Sequence, residues 1–403
     1  MHVIEPARYQ PRPKKRRRWP FIAVPLVLVL IAGAVNYLRP LPTPIATVHV
    51  TLPATETVQL AWPDGGQAAV AAEGYGLLDT YGGTAPLATA SIAKVITALC
   101  VLQKQPLTPG QTGPTYTIGA ADVAFYNTYA AEDGSLVPVV RGEQLTEYQA
   151  LQALMIPSAN NIADSLSRWV FGSHEAYAAY AQNFLRQHGL NQTHIGLDAG
   201  GFDASTTSTA SDLAMLGLLA LKNPVLMQIA SQPQVTLPVA GTVSNYDTIL
   251  GVNGITGLKT GNSDADPGAF LFTATAPVGG RTVLLTGAVM GAPDLETALQ
   301  DSAALVASLQ KGFEAVPIAH DRQVVGRLKA AWGATVPIVP AGDLNLVRWR
   351  ATPLSQTYRV NTALRSGEVG SLHVSAGRVA GSVPLRLAHP LAGPSFWWRL
   401  TRH

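Results

Sequence analysis

Hydrophobic and polar positions divide the chain into stretches of different texture. Trp19 to Leu38 is an uncharged apolar run with a single amide, Asn36. It is long enough to span, as a helix, the roughly 30 Å of a bilayer's hydrocarbon. Pro20 and Pro25 fall in its first turns, where proline is tolerated. Pro40 to about Thr55, rich in Pro, Thr and small residues, reads as an extended spacer. Val58, Leu60 and Trp62 alternate with polar or small residues, which predicts a strand. Pro63 to Gly66 turns the chain, and Gln67 to Leu78 reads as strand again.

Helical periods follow. Ser91 to Leu102 is apolar on more than one side, as in a helix buried at a domain centre, with Thr89 as its cap. Pro106 to Gly142 is weakly periodic and predicts loops and small strands. Thr146-Glu147-Tyr148-Gln149 is a capping box opening a helix that stops at Pro157. A second helix carries Ile162, Leu166, Trp169 and Val170 on one face. Further helices are expected from Ser173 to Gly189, from Thr206 to Leu221 and from Leu295 to Gly312. Ala269 to Ala276 and Thr282 to Met290 are β-rich runs joined by a hairpin at Pro277-Val278-Gly279-Gly280. Strands at both ends with helices between predict a sheet covered by helices. After Glu314, short β-type runs such as Val324 to Leu328, Thr335 to Val339 and Val379 to Leu387 alternate with turn residues, which predicts a small all-β domain. The segments are therefore a basic head (1–18), an apolar anchor (19–38), a linker (39–55), an α+β domain (56–314) and a β-rich domain (315–403).

Charge alters one part of this picture. The formal net charge is +3. Residues 1–18 hold seven Lys or Arg and one acid, Glu5, or +6, which leaves about −3 for the remainder (+3 − 6). The basic character belongs to the head and not to a folded surface, so no nucleic-acid partner is expected. Lys14 to Arg18 should hold the start of the apolar run in the cytoplasm, with the chain after Arg39 outside. The expected location is thus the cell membrane, crossed once, with the folded part extracytoplasmic. Ala32-Gly33-Ala34 offers a cleaved, secreted form as the alternative. A charged content of 13% suits an exported chain. The single cysteine, Cys100, allows no intramolecular disulfide and reads as core packing. The nine histidines lack metal-ligand spacing, so neither a metal nor another cofactor is expected.

The chemistry gathers on three short islands. Ser91 and Lys94 lie three positions apart on a helix, hence on one face. A serine hydroxyl is a weak nucleophile until a base takes its proton, and a desolvated lysine can be that base. Ser158 and Asn160 stand in the polar connection Pro157-Ser158-Ala159-Asn160-Asn161 between two apolar helices, so they should face a cleft. Lys259-Thr260-Gly261 closes a glycine-punctuated approach to a strand. Taken singly, Ser158 and Asn160 could be turn formers and Lys259 a solvated strand end.

Jointly, Ser91-x-x-Lys94, Ser158-x-Asn160 and Lys259-Thr260-Gly261 resemble the three elements of the serine penicillin-recognising enzymes. The chain is most similar to the low-molecular-mass D-alanyl-D-alanine carboxypeptidases, serine peptidase family S11, through Met155-Ile156-Pro157-Ser158-Ala159-Asn160-Asn161, Gly189-Leu190-x-x-Thr193-His194, Ser208-Thr209-Ala210-x-Asp212-Leu213 and Asn253 to Gly261. The resemblance covers roughly residues 55 to 312. It implies a β-lactamase/transpeptidase-like antiparallel sheet flanked by helices. It also implies removal of the terminal D-alanine from peptidoglycan pentapeptide stems, and acylation by β-lactam antibiotics. Ser91 would be the nucleophile and Lys94 its base, kept neutral by burial and by Lys259 as a neighbouring cation. Ser158 would pass a proton to the leaving nitrogen, and Asn160 would hold Lys94 and the substrate amide. Lys259 and Thr260 would bind the terminal carboxylate, and Gly261 would let the strand come close. The N–H groups of Ser91 and Asn262 would form the oxyanion hole.

Three departures bear on substrate preference: Asn262-Ser263-Asp264 replaces the usual residues after Lys-Thr-Gly, Pro267 interrupts the approach to the next strand, and Asp247 stands where an Asn is common. A β-lactamase is the nearest rival, but Glu175 is poorly placed as a deacylating base. A catalytically idle wall-binding scaffold would not need Ser91, Lys94 and Lys259 together. The aromatics of Phe396-Trp397-Trp398 are expected to pack on the β-rich domain, with the membrane interface as the alternative.

Overall fold

The computed structural model describes residues 2, 19–262 and 267–402. The basic head (1, 3–18) and the departures at Ser263 and Asp264 lie outside the described residues. The centre is a five-stranded antiparallel sheet in the order Ile255–Gly261, Gly268–Val278, Arg281–Ala292, Gln67–Ala72, Gly76–Gly82. Both faces are covered, and the period-two alternation of side chains sorts them into two cores. From Gln67–Ala72, the side chains of Ala68, Val70 and Ala72 face one core with Phe270, Phe272 and the helix Leu295–Lys311. Ala69 and Ala71 face the other, with Leu271, Met290 and the helices around Ser91. The strand is wholly buried, so it is small and apolar throughout, as a strand covered on both faces should be. Helix Ala210–Ala220 lies so close on this second face that a Cβ at Gly217 would collide with the Thr286 hydroxyl.

A second sheet of six strands runs Ile45–Val48, Gly326–Lys329, Thr335–Pro340, Val379–Leu387, Glu368–Ala376, Leu354–Val360. Its core is aliphatic, with Leu328, Ile338, Leu372 and Leu385 fully buried. The ladder of Phe313–Ala319 with Leu344–Trp349 links the two regions: Phe313 and Trp349 pack with the first sheet, and Val316 and Leu346 with the second. Buried Arg348 bonds Glu314 across this ladder (2.8 Å) and ties the junction to the incoming chain at the carbonyl of Ala54 (2.9 Å).

Several expectations are corrected. Part of the expected spacer is a strand, since Ile45–Val48 forms an edge of the six-stranded sheet against Gly326–Lys329. Only Val48 of its four residues is buried, so no pattern betrayed it. Val58, Leu60 and Trp62 form no strand. They lie on the first sheet's core, Trp62 stacks on Tyr81 at 5.7 Å, and the N–H of Ala61 bonds the Ser308 hydroxyl instead of a ladder partner. Gln67 to Leu78 is a hairpin turned at Gly74 and Gly76, both at positive φ. A helix, Ala120–Ala131, occupies the stretch read as loops. Only Asp122 and Tyr129 of it are buried, and it is held by the bond between Asp122 and Arg168 at 3.1 Å. The apolar N-terminal run is a helix, Trp19–Leu38. Its apolar stretch Ile22–Leu38 is short, and among the described residues no single helix is long and apolar enough to cross a membrane.

Candidate active site

Ser91 sits in a tight turn, Ala90–Ile92, leading into helix Ala93–Lys104. Ala90 adopts positive φ, so the turn is strained as it presents Ser91. Thr89 does not cap it with its side chain, contrary to expectation; its hydroxyl donates to the carbonyl of Thr206 at 3.2 Å. The N–H of Ile92 donates to the Thr89 carbonyl at 3.2 Å and that of Ala93 to the Ala90 carbonyl; the N–H of Ser91, at the start of the turn, precedes any intrahelical acceptor and can face an anion.

Lys94 is fully buried, with Nζ 2.9 Å from Ser91 Oγ, 2.5 Å from Asn160 Oδ1 and 2.9 Å from the carbonyl oxygen of Gly200. The last two are pure acceptors. A neutral amine has two N–H bonds and one lone pair. With both N–H bonds spent on Asn160 and Gly200, the lone pair is left for the hydroxyl of Ser91. Burial lowers the Lys94 ammonium from 10.5 to about 7, opposed by the carboxylates of Asp198 and then Asp164. In the free site, therefore, burial does the work that was expected in part of Lys259. The influence runs the other way as well: Lys259 is held well below the usual range by burial first and by Lys94 second, with Asp247 opposing.

Asn160 opens helix Asn160–Phe171, its N–H bonded to the Ser135 carbonyl at 2.8 Å. Ser158, at positive φ, is buried, and among the described residues its Oγ has no hydrogen-bond partner. Strand Ile255–Gly261 brings Lys259 and Thr260, both buried, past the serine turn. Lys259 Nζ reaches the Thr260 carbonyl at 3.1 Å. A Cβ at Gly261 would stand 2.8 Å from the Thr89 carbonyl, so the strand needs glycine to approach this closely. Asn262 follows, exposed, and lines with Ser91, Asn160, Gly201 and Phe202 a cleft of about 440 Å³. Ser91, Lys94 and Asn160 are thus in direct contact, and Asn262 borders the cleft they share. Asp247, buried, is pushed up to about 6 by burial, its bond to the Ile249 N–H and the charge of Lys259 opposing.

Sequence reasoning missed the loop that supplies the Gly200 carbonyl. Asp198 accepts the N–H groups of Gly200 (2.7 Å), Phe202 (3.0 Å) and Asp203 (2.7 Å). Asp164 accepts the N–H of Ala199 (3.1 Å) and the Tyr129 hydroxyl (2.6 Å), and Thr97 donates to the Ala199 carbonyl (2.6 Å). A Cβ at Gly200 would lie 2.7 Å from Asn160 Oδ1, and one at Gly201 would strike the Ala90 carbonyl. The glycine pair flanked by Asp198 and Asp203 was the available signal.

A helix-covered antiparallel sheet, with a serine turn, a buried lysine and a close-approaching edge strand, is the fold of the penicillin-binding proteins. Penicillin binding protein 6B from Escherichia coli superposes with a TM-score of 0.59 over 84% of this chain and 99% of that one, at 19% identity. The chain belongs to the D-alanyl-D-alanine carboxypeptidase family, peptidase S11, whose family model matches residues 78–294. It is 30% identical over 204 residues to D-alanyl-D-alanine carboxypeptidase DacB2 of Mycobacterium tuberculosis, a match covering 49% of this chain and 64% of that protein. It is 25% identical over 229 residues to D-alanyl-D-alanine carboxypeptidase DacD of Salmonella typhimurium, covering 55% and 56% respectively. The chain thus spans less than two thirds of each curated relative's length.

Proposed function

We propose that this chain is a serine-type D-alanyl-D-alanine carboxypeptidase acting on peptidoglycan pentapeptide stems and acylated by β-lactams. The observation that carries this reading is the Lys94 amine, buried, with two pure acceptors and one hydroxyl around it.

Ser91 Oγ attacks the carbonyl carbon between the two terminal D-alanines as its proton passes to Lys94 Nζ. Negative charge moves to the carbonyl oxygen, which the N–H groups of Ser91 and Asn262 receive. Collapse breaks the C–N bond. The proton goes by way of the Ser158 hydroxyl to the departing D-alanine nitrogen, leaving an ester on Ser91. Water, deprotonated by the same amine, then cleaves that ester to the shortened peptide and restores the hydroxyl. Lys259 and Thr260 hold the substrate's free carboxylate. Its negative charge favours the ammonium form of Lys259, and that cation in turn favours a neutral Lys94. Asn160 keeps Lys94 oriented and meets the substrate amide. Proton transfer by a positioned base contributes roughly 10^2- to 10^4-fold.

We place the catalytic domain at 56–314 and the β-rich domain at 315–403, outside a membrane crossed once by 19–38. The uncharged surface of the helix from Ile22 to Leu38, with Ile22, Leu26, Leu30 and Leu38 exposed, supports this.

Fluorescent penicillin tests the reading. Stable labelling of the wild type is expected, with none in Ser91→Ala, together with D-alanine release from a pentapeptide mimic. Labelling that persists in Ser91→Ala would overturn the nucleophile, and rapid turnover of the antibiotic would favour a β-lactamase.

A further inference from the structure

The chain between strand Gly241–Ser244 and strand Ile255–Gly261 holds a buried acid that no step of the proposed reaction uses. Asn245 pins the start of this loop. Its Nδ2 donates to the carbonyls of Ala230 (3.3 Å) and Gln232 (3.1 Å), and its Oδ1 accepts the N–H of Asp247 (2.9 Å). Asp247 Oδ1 accepts the N–H of Ile249 at 3.1 Å. Its Oδ2 is buried and has no hydrogen-bond partner among the described residues, on a residue 4% exposed. A bare carboxylate oxygen in the interior is costly unless the field of a cation offsets it.

The cation in question is Lys259, buried on the adjoining strand. Lys259 Nζ turns to the carbonyl (3.1 Å) and hydroxyl (3.3 Å) of Thr260, and Asp247 Oδ2 ends without a donor. The two groups therefore act on one another through space and not through a hydrogen bond. Among the described residues, Lys259 is the one ionisable group acting on Asp247, and Asp247 is the one carboxylate acting on Lys259.

Recognition of a carboxylate at Lys259 meets a difficulty in the free protein. Burial first and the charge of Lys94 second drive Lys259 toward the neutral amine. A neutral amine holds a carboxylate poorly, and the substrate's charge cannot favour the ammonium before the substrate has arrived. An anion already resident in the protein can. We propose that Asp247 is the resident counter-ion of Lys259, keeping it an ammonium in the free site and ceding that cation to the substrate's terminal carboxylate. Such a counter-ion rests on the carboxypeptidase reading, in which that carboxylate lies on Lys259 and Thr260. The gap suits the exchange, because no hydrogen bond from the ammonium to Asp247 has to break before the substrate binds. An asparagine, common at this position in the family, would accept the Ile249 N–H equally well and supply no charge. Asp247 is thus a positioning residue, acting through Lys259 and not on a reacting atom.

The test is steady-state release of D-alanine from a pentapeptide mimic by the full chain, from about pH 5 to pH 8. Asp247→Asn should raise KM about tenfold at pH 8, the effect of moving Lys259 by one pH unit. kcat should stay nearly unchanged, since in the complex the substrate's carboxylate takes over as counter-ion. The difference should vanish below about pH 6, where Asp247 of the wild type is itself protonated. Asp247→Glu should bring KM back toward the wild-type value. Should Asp247→Asn fold poorly, Asp247→Ser, which also keeps an acceptor, takes its place. An unchanged or lower KM at pH 8 in the uncharged variant would overturn the counter-ion, the lower value by showing that Asp247 repels the substrate. So would a KM raised equally at every pH, or a glutamate variant no better than the asparagine one, since either assigns Asp247 to shape alone. A wild type that releases no D-alanine and takes no penicillin at Ser91 would instead overturn the carboxypeptidase reading.

Discussion

The surroundings of Ser91 and the core of the six-stranded sheet are equally buried and oppositely composed. Around Ser91 the interior holds Lys94, Thr97, Ser158, Asn160, Asn161, Lys259 and Thr260. The sheet's core holds valine, leucine, isoleucine and alanine. Burying polar groups costs free energy unless every one is bonded, and a buried ammonium costs most. The first region therefore keeps chemistry at the expense of stability, and the second supplies stability with no chemistry. Substitutions in the two regions should separate activity from folding.

The widest separation is expected at the proposed nucleophile. Ser91→Ala removes one oxygen from a half-buried position. Acylation should fall roughly 10^4- to 10^6-fold, measured by penicillin labelling and D-alanine release, with the melting temperature barely changed. A matching loss of thermal stability would mean that Ser91 is a structural residue.

Lys94→Met should cost roughly 10^2- to 10^4-fold in acylation and yet raise the melting temperature near neutral pH. The sign follows from linkage. Folded Lys94 titrates near 7 and an ordinary lysine at 10.5. Below about pH 7 both folded and unfolded chains carry the proton, and the folded chain bears the full cost of burying it. Between 7 and 10.5 only the unfolded chain keeps the proton, so wild-type stability climbs with pH, by at most about 1.4 kcal/mol per pH unit. The advantage of Lys94→Met should be greatest below pH 7 and shrink toward pH 10.5. A stability difference that is flat across that range would show that Lys94 is not buried as an ionisable amine.

The sheet should behave in the opposite way. Leu372, fully buried in strand Glu368–Ala376, becomes a cavity in Leu372→Ala. The expected loss is about 2–5 kcal/mol of stability, read by urea unfolding. kcat/KM at temperatures well below melting should stay at the wild-type value. A fall in kcat/KM without unfolding would make the sheet part of the catalytic unit.

Legibility followed the same division. The side chains of the proposed site stood out because the proposed chemistry needs specific residue types at short spacings, as in Ser91 with Lys94, which the fold puts 2.9 Å apart. The Gly200 carbonyl was not, since backbone atoms carry no residue identity and only the neighbouring glycines and Asp198 hint at them. Strong periodicity revealed the buried helices, and the capping box at Thr146 holds, its hydroxyl accepting the Gln149 N–H at 3.2 Å. Weak periodicity hid helix Ala120–Ala131, whose surface is mostly exposed. Strand Ile45–Val48 was hidden because its partner, Gly326–Lys329, is remote in sequence and its own residues are mostly exposed. Alternation at Val58, Leu60 and Trp62 reported burial correctly and pairing wrongly, because extended chain can lie on a core without joining a ladder.

The smallest effect probes how finely the polar region is balanced. Asp198 holds the loop carrying Gly200 and is the larger of the two carboxylate influences that keep Lys94 from falling further. Asp198→Asn preserves the shape and one acceptor while removing the charge. Lys94 should then titrate lower. The proposed reaction needs the neutral amine, so the acidic limb of kcat/KM should move to lower pH, raising the ratio of activity at pH 6 to that at pH 8. Asp164→Asn should act in the same direction and less strongly. Asparagine cannot accept at both of Asp198's oxygens, so the bond from the Asp203 N–H weakens and the loop loosens. That loosening should lower kcat at every pH alike. A uniform fall with an unmoved acidic limb would assign Asp198 to positioning alone, and a moved limb with little fall would assign it to charge.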